Sequence, residues 1–150
     1  MAAAIATVTN SIAALSVSGV TLKDMDEILE QVEERDGPII QPIPNGFVTD
    51  LGAERDSFGD PSQALKTLNY TLNYRLMYIP LDAGRGLFDV YDDMVAKAFL
   101  FIDAVLANDD LSGSVDVTPV GALNFGPVVD PAGNQFHGCD FQLRVQEFVN

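Results

Sequence analysis

Thr67-Leu68-Asn69-Tyr70-Thr71-Leu72-Asn73-Tyr74-Arg75-Leu76-Met77-Tyr78-Ile79 is the stretch that decides the fold class. Leu68, Tyr70, Leu72, Tyr74, Leu76 and Tyr78 alternate with Thr67, Asn69, Thr71, Asn73, Arg75 and Met77. A strand sends successive side chains to opposite faces, so this alternation makes one face apolar and aromatic and the other mostly polar. A sheet covered by helices on one side needs that division. Pro80 ends the strand. Asn69-Tyr70-Thr71 also fits a glycosylation acceptor, but inside a strand the match is read as accidental.

After the turn Asp82-Ala83-Gly84-Arg85-Gly86, the residues Leu87, Val90, Tyr91, Met94, Val95, Ala98, Phe101, Ile102 and Val105 predict a helix from Leu87 to Ala107. Asp89, Asp92, Asp93, Lys97 and Asp103 define its polar side. Phe88, Phe99, Leu100 and Leu106 widen the apolar surface beyond what one sheet face requires, which predicts a side turned to a partner. Val115 to Val120, resuming at Val128-Val129, and Phe136 to Val149 read as strands around the turn Asp130-Pro131-Ala132-Gly133-Asn134.

Upstream, Ile5, Val8, Ile12 and Leu15 share one face of a nearly uncharged helix ending near Ser18-Gly19, which packs on its own domain or also on a neighbouring subunit. Lys23 to Asp36 carries seven acids, and Met25, Ile28, Leu29 and Val32 predict a short amphipathic turn there. It lacks the Gly and final Glu of an EF-hand loop. Ile39 to Leu51 reads as one kinked strand near an edge, broken by Pro42, Pro44 and Asn45-Gly46, and Gly52 to Ser62 as an exposed loop. The expected fold is α+β: a mainly antiparallel sheet of four strands or slightly more, with two helices on one face, in the order α-β-β-α-β-β. One domain spans 1–150.

The 150 residues carry 22 Asp plus Glu against 8 Lys plus Arg, a net charge of −14, and 47% are hydrophobic. Such an acidic surface repels phosphates and disfavours ordinary nucleic-acid binding, while the apolar content disfavours disorder. One Cys and one His exclude an internal disulfide framework and a Cys/His zinc cage. No apolar run is long enough to cross a bilayer, and the opening residues lack the positive charges of a secretory signal, so cytosolic synthesis is expected.

Catalytic constellations are few. His137 and Cys139 would point the same way from a strand, with Asp140 adjacent, but a buried structural Cys beside a turn His accounts for them better than a nucleophile and its base. Asp92-Asp93 and Asp109-Asp110 are neighbours that do not face each other on a helix. Gly84-Arg85-Gly86 lacks the Lys-Ser/Thr of a phosphate loop. No enzyme activity, metal or cofactor is expected.

The segment Thr21-Leu22-Lys23-Asp24-Met25-Asp26-Glu27-Ile28, followed by Arg35-Asp36-Gly37-Pro38-Ile39-Ile40 and Pro42, resembles the N-terminal region of the tail terminator (tail completion) proteins of long-tailed bacteriophages. The strand Leu68 to Tyr78, the helix from Leu87 and the closing strand Cys139 to Val149 are similar to that family in order and length. The resemblance covers nearly the whole chain and rests on element order more than on an invariant motif. It implies a structural virion protein forming a ring, six copies in that family, on the head-proximal end of the tail tube. Such a ring stops tube polymerisation and presents a surface to the neck or head-completion protein. A head-to-tail joining protein or a tube subunit stands close to this reading, with a capsid decoration protein or a small acidic enzyme further off. On the terminator reading, Ile5, Ile12, Phe99 and Leu100 are the expected subunit-interface residues. Asp24, Asp26, Glu27, Glu30, Glu54 and Asp56 are the expected lining of an acidic lumen through which viral DNA passes without specific binding. The partners are further copies of the chain, the tube protein and the neck protein, with no membrane.

Overall fold

The alternating stretch forms the middle of a long strand. In a computed structural model that describes residues 5–55, 66–84, 86–108 and 115–149, the elements are α1 (Ile5–Ala13), β1 (Thr21–Leu22), β2 (Ile39–Pro42), β3 (Val48–Arg55), β4 (Lys66–Pro80), α2 (Leu87–Ala107), β5 (Val115–Val120), β6 (Gly126–Val129) and β7 (Gln135–Val149). The architecture is α+β, with two helices and a curled, mostly antiparallel sheet. Its spine is the antiparallel pair β4–β7, from Lys66↔Val149 to Pro80↔Phe136.

Each long strand is flanked by two short ones in succession. On the outer side of β4, β3 pairs with its first half and β2 with its second. On the outer side of β7, β5 pairs with 142–147 and β6 with 135–138. One level of the sheet therefore reads β3-β4-β7-β5, and the other β2-β4-β7-β6 with β1 parallel to β2 beyond it. Seven strands replace the four or slightly more expected because both flanking segments are interrupted. Pro42, Pro44 and Gly46, at φ +83°, turn the chain between β2 and β3, so 39–51 is not one strand. Asn73 holds that turn from β4: its carbonyl accepts from Ile43 N at 3.0 Å, its N–H donates to Phe47 O at 2.9 Å, and its side-chain amide reaches Gly46 O, Phe47 O and Thr49 Oγ1.

The two faces follow the register. Tyr70, Leu72, Tyr74 and Leu76 stand opposite Val145, Leu143, Phe141 and Cys139, and this face forms the main core with Val8 and Ile12 of α1 and with Met94, Ala98, Phe101 and Val105 of α2. An aromatic chain crosses it: Phe47 meets Tyr74 edge-on at 5.3 Å, Tyr74 meets Phe101 at 6.0 Å, and Phe101 meets Phe141 at 4.9 Å. The reverse face pairs Asn69 with Gln146, Thr71 with Arg144, Asn73 with Gln142 and Arg75 with Asp140. At its far end a smaller core joins Val32, Ile39, Met77 and Phe136.

That second core accounts for the acidic segment. The short amphipathic helix expected over 25–32 is replaced by two single 3₁₀ turns, Met25–Glu27 and Glu34–Asp36. A longer helix would stack Asp26, Glu27, Glu30, Glu33 and Glu34 at repulsive three- and four-residue spacings. The main chain finds other partners instead. Gln41 exchanges two amide hydrogen bonds with Leu29, both 3.0 Å, Ala132 N donates to Glu30 O at 2.9 Å, and Val32 N donates to Asp130 Oδ2 at 2.9 Å. The segment is thereby fastened across the reverse face, with Leu29 and Val32 inward and most acids outward.

Candidate functional site

α2 carries two interleaved apolar series. Val90, Met94, Ala98, Phe101 and Val105 are buried against the sheet. Phe88, Tyr91, Val95, Phe99, Ile102 and Leu106 form a second stripe, since at about 100° per residue they fall within a single arc beside the first. Sequence reasoning counted Tyr91, Val95 and Ile102 with the buried series as one set of apolar residues marking the helix; Tyr91 is exposed, and Val95 and Ile102 are half-buried. The correction has a simple cause. The first series already fills the space above the sheet, so the core face of the helix is narrower than its apolar arc.

The outward flank can be located. Asp93 and Lys97 lie on the other side of α2: Tyr78 of β4 donates a hydrogen bond to Asp93, Lys97 Nζ lies 3.4 Å from Asp93 Oδ1, and the Lys97 stem packs over Gly19 beyond α1. The Tyr78 hydrogen bond, helped by Lys97, holds the Asp93 carboxyl below its usual range despite opposition from desolvation. The stripe faces the opposite way, toward β5, which α2 contacts, and toward Phe125, whose ring meets Tyr91 at 5.8 Å. Phe99 is 52% exposed and Phe88 fully so. Leu100, 40% exposed, lies about 100° round the helix from Phe99, among polar neighbours and off the stripe.

The other expected interface residues fare differently. Ile12 is 1% exposed and belongs to the core, so its side chain is occupied within the chain, and Ile5 is half-buried against the same core. Thr9 of α1 is also buried, with its hydroxyl donating to Ala6 O at 3.0 Å. Among the expected lumen acids, Asp24 is nearly buried and caps the first 3₁₀ turn, accepting from Met25 N at 2.7 Å, while Glu27 Oε1 accepts from Asp24 N at 3.1 Å. Asp26, Glu27 and Glu30 are exposed on the segment that covers the reverse face. Glu54 is also exposed, but it lies in β3 and not in a loop. Asp56 lies outside the described residues, as do Asp109 and Asp110.

The Cys139 neighbourhood is closed. Its thiol is fully buried in the main core, and burial first, then the Asp140 charge, pushes it up to about 12. At neutral pH it is a protonated, inaccessible group. His137 is buried as well, and Asp140 is engaged with Arg75 through two hydrogen bonds of 2.7 and 3.0 Å, which raise the Arg75 guanidinium. A cleft of about 760 Å³ on the reverse side is lined by Glu33, Glu34, Asp82, Asn134 and Phe136 among others. Among the described residues no group of three or more His, Cys, Asp or Glu side chains is placed to hold a metal, and no helix is long and apolar enough to cross a membrane.

Sequence reasoning missed Leu51. It lies at a bulge of β3, where the pairing moves from Thr49↔Thr71 to Gly52↔Asn69 and Asp50 adopts φ +55°, and it is 60% exposed. Alternation from Ala53, opposite Leu68, places Leu51 on the face that carries the main core. No family model matches the chain, and no curated protein sequence is significantly similar to it.

Proposed function

We propose that this chain is a structural protein of a long-tailed bacteriophage, a tail terminator whose copies close into a ring on the head-proximal end of the tail tube. The ring halts tube polymerisation, offers its free side to the neck or head-completion protein, and lets viral DNA pass through its lumen. The observation that carries the reading is the uncovered apolar flank of α2 on a chain whose core is already filled. A ring subunit needs such a surplus, and a monomer in water does not. The order of strands and long helix that resembles the terminator family supports it further.

In this reading both helices lie on one face of a sheet four strands wide and point away from the ring axis. The reverse face, which carries Glu54 and the fastened segment with Glu30, then turns toward the lumen. Six copies would bring a charge of −84, six times −14, and a negative lumen lets a polyanion slide without sticking. Adding the purified chain to polymerising cognate tube protein tests the assignment. Tubes should stop at a length set by the moment of addition, whereas unchanged length distributions at saturating chain would remove it.

A further inference from the structure

The level β3-β4-β7-β5 ends in two strands that pair with nothing outside it among the described residues: β3 pairs with β4 and β5 with β7. Because every pair in this level is antiparallel and the number of strands is even, its two edges run in opposite directions. A second copy placed beside the first in the same orientation therefore brings its β3 antiparallel to the first copy's β5. The sheet continues with its alternation and its helix-bearing face unbroken.

Side chains agree with that continuation. The outward flank of α2, a helix that contacts β5, carries Phe88, Tyr91, Phe99 and Leu106 exposed on the helix-bearing face. Beside the β3 edge, the same face carries Leu51, which is 60% exposed. The three exposed aromatics alone offer about 400 Å² at roughly 200 Å² per fully exposed ring. That is about half of the ~800 Å² which each partner gives to an interface of standard size. We infer that the β5 edge and α2 flank of one copy receive the β3 edge of the next, with Leu51 seated against Phe99 of its neighbour. Such a contact joins two different surfaces, so repetition gives a closed ring or a filament and not a two-fold dimer. The inference rests on the ring reading and specifies its seam.

Cysteine pairs test it, because Cys139 is buried and leaves the native chain without an exposed thiol among the described residues. Leu51→Cys, Phe99→Cys and the double variant are treated with a short bis-maleimide, alone and with tail tubes, and native mass is followed by light scattering. Both positions are more than half exposed, and circular dichroism checks that each variant folds. The expected result is a ladder of covalent multimers from the double variant and uncoupled chains from either single one. A covalent dimer from Phe99→Cys alone would show stripe meeting stripe and overturn the seam. Rings seen by native mass but no ladder from the double variant would overturn the seam and leave the ring standing. Monomers throughout, with and without tubes, would overturn both.

Discussion

Gly138 faces the point where β4 gains one residue, between Met77↔Gly138 and Ile79↔His137, and a Cβ there would lie 1.8 Å from the Leu76 carbonyl oxygen. No side-chain rotation relieves a clash with backbone, so Gly138→Ala must part the central strands locally. We expect a loss of about 3 kcal/mol, read as a lower urea midpoint with unchanged slope. Asp130 is a second single-residue dependency. Burial raises its carboxyl, but hydrogen bonds from the Asn134 side chain and from the Val32, Asn134 and Ala132 backbone outweigh it and leave it below its ordinary value of 3.8. A carboxyl depressed by folding stabilises the fold fully above its unfolded value and loses that contribution as pH falls through the folded one. Thermal stability should therefore fall below about pH 4. Asp130→Ala, which orphans Val32 N and Asn134 N, should cost about 1–3 kcal/mol at pH 7 and flatten that acid dependence. An acid profile unchanged in the variant would remove Asp130 from this role. The Gly138 clash and the Asp130–Val32 hydrogen bond were not legible in the sequence, because each joins groups distant in the chain.

The elements show what a periodic pattern can and cannot convey. Strand β4 and helix α2 were legible almost to their ends, since each repeats its pattern over many residues and Pro80 marks a boundary. The acidic segment was not, because its conformation is set by Gln41 and Asp130, far from it in sequence. The split of 39–51 was half legible: the prolines announced kinks, but only Asn73 shows that the two pieces pair with successive halves of one strand. For α2 the exposed Phe88, Phe99 and Leu106 were visible as surplus, though not that Tyr91, Val95 and Ile102 share their stripe, which depends on how much of the helix the sheet can cover. The division makes a prediction at this scale. Phe99→Glu should leave the far-ultraviolet circular dichroism and melting curve nearly unchanged and weaken assembly tenfold or more, about 1.4 kcal/mol or above. Leu100→Glu, off the stripe, should have a much smaller effect on assembly. Equal effects from the two substitutions would mean that the flank is not the contact.

At the scale of the whole molecule, a net charge of −14 acts on every meeting between copies. Apolar contact must overcome that repulsion, and salt screens it, with a Debye length of about 30 Å at 0.01 M falling to about 10 Å at 0.1 M. Assembly should therefore strengthen as ionic strength rises, the reverse of what an interface held by ion pairs would do. Sedimentation or light scattering across a salt series reads this directly, and dissociation at high salt would point to charged contacts in place of the apolar flank. In the proposed ring, acids of the reverse face such as Glu54 would suit the lumen to DNA transit. Of the candidate site, sequence reading reached Phe99 and the exposed acids of 24–36, but it spent Ile12 on an interface when the core needed it. The most direct measurement of the central claim is negative-stain imaging of the chain mixed with cognate tail tubes. The account predicts a ring-shaped density at one end of each tube and none along its wall. Chains scattered along tubes, bound to capsids, or monomeric and unbound would contradict it.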